Sequence, residues 1–324
     1  MAEWLIEEGI AEHRAVLLDG ERIVAARVAW PGEVTAGLVA DAKLIARAAG
    51  SSRGTARLAT GEEVLVDRLP SGASEGAAIR IEVTRPALSE GKRGKLARGR
   101  PAAASPRPVP TLAENLRASG DGARVVRQFP GGEWDDLIAE AFAGEVAFPG
   151  GSLQFSATPA MLLVDVDGTV APGALALAAV PALANALRRF DVGGSAGIDF
   201  PTLSAKADRR AVDEALAVAL TGWPHERTAI NGFGFVQLVA RLERPSLLQR
   251  AAFRPAELAA RLLLRRAERL EGQGAVLLSS HPAVDAALTP ATVAELARRT
   301  GREVRRAAAP ALAVEAPHAQ LVPR

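Results

Sequence analysis

Short apolar runs divided by turn residues dominate the first hundred positions. Trp4-Leu5-Ile6, Arg14-Ala-Val-Leu-Leu18 and Arg22-Ile-Val-Ala-Ala26 are three such runs, with Asp19-Gly20 between the second and third. Asp-Gly between apolar runs predicts a hairpin, because both residues tolerate the backbone of a tight turn. Further runs at 37–39, 43–46, 54–58, 63–66 and 78–83 are separated by Gly- and Ser-rich turns. Their close spacing predicts a small five-stranded barrel.

Beyond residue 130 the apolar period lengthens and alternates. The pattern predicts a short amphipathic helix over 134–142, a boundary at Pro149-Gly-Gly151, and strands at 152–157 and 160–166. A helix over 174–190, a strand at 194–200, a helix over 207–220 and a strand at 234–239 follow. Pro255 opens an amphipathic helix to 270, and segments 275–278 and 290–299 complete a small C-terminal α/β unit. Strands alternating with helices imply an α/β sandwich core within an α+β multidomain chain.

Composition narrows this picture. A chain of 324 residues, 48% hydrophobic, can bury a sizeable core in two or three domains. It has no cysteine, which excludes disulfides and thiolate zinc sites, and its four histidines (His13, His225, His281, His318) are scattered, so no structural zinc is expected. The start, Met-Ala-Glu-Trp-Leu-Ile-Glu-Glu, is acidic where a signal peptide would be basic. The Ala/Leu-rich run over 174–187 is interrupted by Pro181 and Asn185 and is too short to span a bilayer. A cytoplasmic protein with no membrane partner is the expectation. The net charge is only +2, so the distribution of charge matters more than its total. Residues 90–100 concentrate Lys92, Arg93, Lys95, Arg98 and Arg100 on an expected loop before a Pro/Ala-rich linker over 101–110. Such a segment can follow a phosphate backbone, or can simply be a solvated basic turn.

The chemistry concentrates in Met161-Leu-Leu-Val-Asp-Val-Asp-Gly-Thr169. Side chains alternate along a strand, so Asp165 and Asp167 share one face near its end. Asp is depleted in strands, and two carboxylates on one face suit a hard divalent cation such as Mg2+. The plain alternative is a strand-end turn built on Asp167-Gly168.

The string Leu163-Val-Asp-Val-Asp-Gly-Thr-Val170 resembles the first motif of haloacid dehalogenase-like phosphatases. That resemblance implies a phosphatase with Asp165 as nucleophile and Asp167 as general acid/base. The family also uses a later basic residue and a later acidic pair. After Asp167 the only Lys is Lys206, and no acidic pair follows an apolar strand.

A longer pattern resembles the ribonuclease E/G family. It comprises Gly150-Gly-Ser-Leu-Gln-Phe-Ser-Ala-Thr-Pro-Ala160 with the Asp pair, then Asp191-Val-Gly-Gly-Ser-Ala-Gly-Ile-Asp-Phe200. The segment 208–216 follows, then Phe233-Gly-Phe-Val-Gln-Leu-Val239 and Arg244-Pro-Ser-Leu247. The resemblance implies a Mg2+-dependent endoribonuclease acting on single-stranded RNA in RNA processing or decay, with Asp165 and Asp199 as metal ligands. Asp167 would take the place of an Asn that orients the second ligand. Gly232 stands where an Arg is expected, Gln237 where a Glu is usual, and Ala240 replaces a second basic residue. These departures keep open a non-catalytic or weakly catalytic RNA-binding protein of the same fold. The implied organisation is a split RNase H-like support domain (1–35 and 105–148) interrupted by a degenerate OB-type RNA-binding barrel with its basic loop (36–100). The metal-binding catalytic core (149–250) and a small C-terminal domain (251–324) follow. The last is the candidate for dimerisation, a homodimer being one assembly the sequence leaves open.

Overall fold

The computed structural model describes residues 3–88, 94–158 and 160–324. β1 (Trp4–Gly9), β2 (Glu12–Asp19) and β3 (Arg22–Ala29) form an antiparallel meander, as the Asp-Gly signal implies. Trp4, Ile6 and Ala15 pack on one side of this sheet and Leu5 and Val16 on the other. Burial on both sides is why the strands read as runs rather than as strict alternation.

β4 (Val39–Arg47), β5 (Gly54–Leu58), β6 (Glu63–Val66), β7 (Ala78–Arg85) and β8 (Ala97–Pro101) close into a barrel in the order β4-β5-β6-β8-β7. Leu44, Ala56, Val64, Val66, Ile81 and Val83 fill it. The barrel has the expected strand number, but its membership differs from the sequence reading. The runs at 43–46 and 39 belong to one long strand, and the fifth strand is 97–101, read from sequence as part of a basic loop. Ala-Arg-Gly-Arg-Pro has little intrinsic strand preference. Its conformation comes from pairing parallel to β6 and antiparallel to β7.

α1 (Leu112–Ala118) opens on a capping box between Thr111 and Glu114, and its Leu112 and Leu116 cover the Trp4/Ile6 side of the first sheet. β9 (Ala123–Val125) then adds to β1 in parallel, completing the sheet order β3-β2-β1-β9 across the inserted barrel. After α2 (Glu133–Ala143), β10 (Glu145–Phe148) and β11 (Gly151–Ala157) form a hairpin. Pro149-Gly150, read from sequence as a boundary, is its turn.

β12 (Leu162–Gly168), α3 (Pro172–Arg189), β13 (Gly194–Asp199), α4 (Lys206–Ala219), β14 (His225–Arg227) and β15 (Phe235–Ala240) complete a mixed six-stranded sheet ordered β10-β11-β12-β13-β15-β14. α3 continues through Pro181, which is exposed, so the carbonyl it leaves without a donor can meet water. Its buried stripe, Leu175, Ala176, Ala179, Val180, Leu183 and Leu187, joins one continuous core. The inner residues of β11–β13 and Leu5, Val16 and Trp30 of the N-terminal segment belong to the same core. One face of the six-stranded sheet is thereby buried.

α5 (Leu247–Phe253) and α6 (Pro255–Glu268) lead to β16 (Ala275–Ser280), α7 (Pro282–Ala287), α8 (Pro290–Thr300), β17 (Val304–Ala308) and β18 (His318–Val322). The last sheet is ordered β17-β16-β18 and has its own small core with α6. Among the described residues no helix is long and apolar enough to cross a membrane.

Candidate functional site

The other face of the six-stranded sheet carries the acids. In β12 the inward Leu162, Val164 and Val166 are buried, so period two turns Leu163, Asp165 and Asp167 outward. In β13 buried Ala196 and Ile198 turn Ser195, Gly197 and Asp199 to the same side. The two strands are parallel, and their register sets Asp165 directly beside Asp199. Neighbouring strands lie about 4.8 Å apart, within the span of one ion. The row across the sheet reads Gln154, Asp165, Asp199, Phe235.

Both carboxylates are solvent-exposed. Their presence on strands is therefore not a matter of buried charge. The physical signal is two like charges in adjacent positions, since among the described residues neither accepts a hydrogen bond or pairs with a cation. Among those residues no group of three or more His, Asp or Glu converges as a metal site. A two-carboxylate set still fits Mg2+, which commonly takes one or two protein carboxylates and keeps water or substrate phosphate in its other positions.

Asp167 stands apart from this pair. It is two residues further along β12, roughly 7 Å away, and β13 has no residue paired with it. Its Oδ1 accepts the Gly168 N–H at 2.8 Å, the local turn geometry that the strand-end alternative implies. Gln237 faces the same side one row away, beside Gly197. Gly232 is exposed in the preceding loop, and Ala240 pairs with Gly194 at the far end of β15.

That loop supplies a residue to which the sequence motif alone assigned no role. The Asn231 side-chain oxygen accepts the N–H groups of Phe233 (2.9 Å) and Phe235 (3.0 Å). Gly234 takes φ +94°, and a Cβ there would lie 2.2 Å from the Phe200 carbonyl oxygen, so only glycine fits. Phe200 N–H in turn donates to the Gly234 carbonyl. The loop is thus pinned to the residue after Asp199, yet it leaves Phe233 81% exposed. Phe235 and Met161 lie over Gly197, where a Cβ would come within 2.5 Å of the Phe235 ring and 3.0 Å of the Met161 sulfur. Leu163 and Val239 are also exposed on this face. The available signal was Asn-Gly-Phe-Gly-Phe, an aromatic held between two turn-forming residues.

Of the five basic residues, the three described ones, Lys95, Arg98 and Arg100, belong to the barrel segment and not to the six-stranded sheet that carries the acids. Lys92 and Arg93 lie outside the described residues. Lys95 forms a β-bridge with Leu88. Arg98 and Arg100 sit on β8, where Arg98 donates to Asp67 (2.7 Å) and Arg100 to Glu82 (2.8 Å). These two belong to a barrel strand with carboxylate partners, not to a loop. Set against models of protein families and against curated proteins, the chain matches none.

Proposed function

We propose that the chain is a Mg2+-dependent endoribonuclease acting on single-stranded RNA, with Asp165 and Asp199 as the metal ligands. The observation that carries this reading is the register pairing of two uncompensated carboxylates on an open sheet face. The spacing of the surrounding motifs, which resembles the ribonuclease E/G family, points to the same chemistry, and an OB-type barrel and RNase H-like support domain are part of the proposal. Mg2+ held there would supply a Lewis acid for the phosphate and a water of lowered pKa. Asp165 and Asp199 hold the ion, Gln154 and Asp167 flank them with polar groups, and Phe233 offers a flat surface to a base of the bound strand.

Phe233 gives a direct test of how the strand is held. Stacking on an aromatic contributes about 1–3 kcal/mol per base. Phe233→Ala is expected to weaken single-stranded RNA binding roughly 5- to 150-fold without changing the salt slope, read by fluorescence anisotropy at several salt concentrations. Unchanged affinity would remove Phe233 from the site. Arg98 and Arg100 contribute less than free cations, because each must first leave a carboxylate.

Incubating the protein with single-stranded RNA, with Mg2+ or with EDTA, tests the activity. Cleavage only with Mg2+ is the expected result. RNA retention without cleavage would favour the binding protein that the departures at Gly232, Gln237 and Ala240 leave open. Hydrolysis of p-nitrophenyl phosphate without RNA cleavage would favour the phosphatase reading of Asp165 and Asp167.

A further inference from the structure

A second concentration of charge lies away from the acid pair. A cleft of about 880 Å³ opens between the end of β1, residues 125–128, the end of α6 with residues 269–272, and the end of α8. Arg14, Arg127, Arg265, Arg269, Arg299 and Arg302 line it. Their partners divide them into two groups. Glu7 takes Arg14 and Arg265, and Glu268 takes Arg299 at 2.9 Å. Among the described residues, no carboxylate pairs with the other three. Among the described residues, Arg269 faces the Gln128 side-chain amide, whose oxygen accepts from it once the amide is turned toward it, Arg302 donates to the Gly272 carbonyl at 2.7 Å, and Arg127 has no partner. Arg14, buried to 1% exposure, leaves its NH2 group without an acceptor.

We propose that this cleft binds a polyphosphate-bearing small molecule, with Arg127, Arg269 and Arg302 holding its phosphate oxygens. Three guanidiniums without carboxylates call for an anion with several oxygens and more than one charge, and the planar fork matches phosphate bidentately. The volume lies in the usual range for small-molecule sites and exceeds what orthophosphate needs. No aromatic ring lines the cleft among the described residues, so the phosphate chain, not a base, is the recognised part. Burial, and then the neighbouring charge of Arg265, lower the pKa of Arg269. Both are penalties that a bound anion relieves. Glu8 and Glu271 also line the cleft, are exposed, and have no cation partner among the described residues. They disfavour a densely charged ligand that fills the whole cleft, and so favour a chain held at the arginine side.

The test is calorimetric titration of the full-length protein in EDTA with pyrophosphate, ATP and, at matched ionic strength, sulfate. Saturable binding of pyrophosphate and ATP is expected, with sulfate at least tenfold weaker. Arg127 is exposed, so Arg127→Ser keeps the fold and should weaken pyrophosphate at least tenfold. Arg127→Ser/Arg269→Ser should abolish binding, with an unchanged melting temperature confirming that it is folded. If the double variant is unfolded, Arg127→Ser alone decides. Asp165→Asn should bind like the native chain, which separates this site from the metal reading. Equal affinity for sulfate, no binding of pyrophosphate, or full affinity in Arg127→Ser would each overturn the proposal.

Discussion

Asp165→Asn and Asp199→Asn, each made alone, are expected to lower Mg2+-dependent RNA cleavage by two to three orders of magnitude while leaving the chain at least as stable. The loss follows from removing one of two ligands from a site that stabilises charge developing on phosphate, where a single stabilising contact is worth about 10²–10³ in rate. The stability argument has the opposite sign. Directly opposed like charges on neighbouring strands are destabilising by roughly 0.2–1 kcal/mol, and neither carboxylate has a compensating partner among the described residues. Substituting an amide relieves that repulsion and buries nothing, since both positions are exposed. Rates on a labelled single-stranded RNA and urea melts in EDTA check the two halves. Cleavage at the native rate would end the metal-site reading. A loss of more than about 1 kcal/mol would mean that the acids hold the fold.

Glu7→Gln is expected to destabilise the fold by about 3–5 kcal/mol, the usual consequence of removing one partner from a buried ion pair. Glu7 is 5% exposed, and accepts from Arg14 (2.9 Å), Arg265 (3.0 and 3.2 Å) and the Phe129 N–H (2.5 Å). Arg14 and Arg265 are 1% and 3% exposed, so the variant leaves two desolvated guanidiniums, Arg14 with Glu12 and Arg265 with Asp135. Residues 7, 129 and 265 tie the first sheet, the segment before α2 and helix α6 together, so the loss spans all three.

The same group sets a pH dependence. Burial raises the Glu7 carboxyl, but the hydrogen bond and charge of Arg265, the charge of Arg14 and the Phe129 N–H together bring it below its ordinary value of 4.5. A carboxyl depressed in the folded state contributes stability above the unfolded pKa and loses it as pH falls through the folded one. The native melting temperature should therefore fall as pH drops below about 4.5. Glu7→Gln should flatten that acid limb as well as lower the plateau. A plateau change under 1 kcal/mol in urea titrations would show that the network adapts around Gln.

Most helices and strands were legible because their signals are local. The stripe of α3, Pro255 at the start of α6, and the alternation Leu162-Leu-Val-Asp-Val-Asp each depend on residues within two turns or one strand. β8 was not legible. Its cations and glycine read as a loop, and only pairing with β6 and β7 makes them a strand. β9 escaped for the same reason: three residues acquire strand geometry from β1, more than a hundred positions earlier.

At the candidate site, period two determined that Asp165 and Asp167 share one face of their strand, and the sequence alone carried that. Which residue stands beside it depended on register, a property of two strands rather than one. The parallel pairing of β12 with β13 selected Asp199 and left Asp167 to its own turn. The tertiary structure also decided that this face is the open one, because α3 covers only the other side of the sheet. It exposed Phe233 by pinning its loop through Asn231 and Gly234. The pairing of Glu7 with Arg265, 258 positions apart, was likewise undetermined until packing chose it. Hydrophobic periodicity specifies which face of an element is buried, but carries no information about which polar residue of a distant element will lie within hydrogen-bond reach.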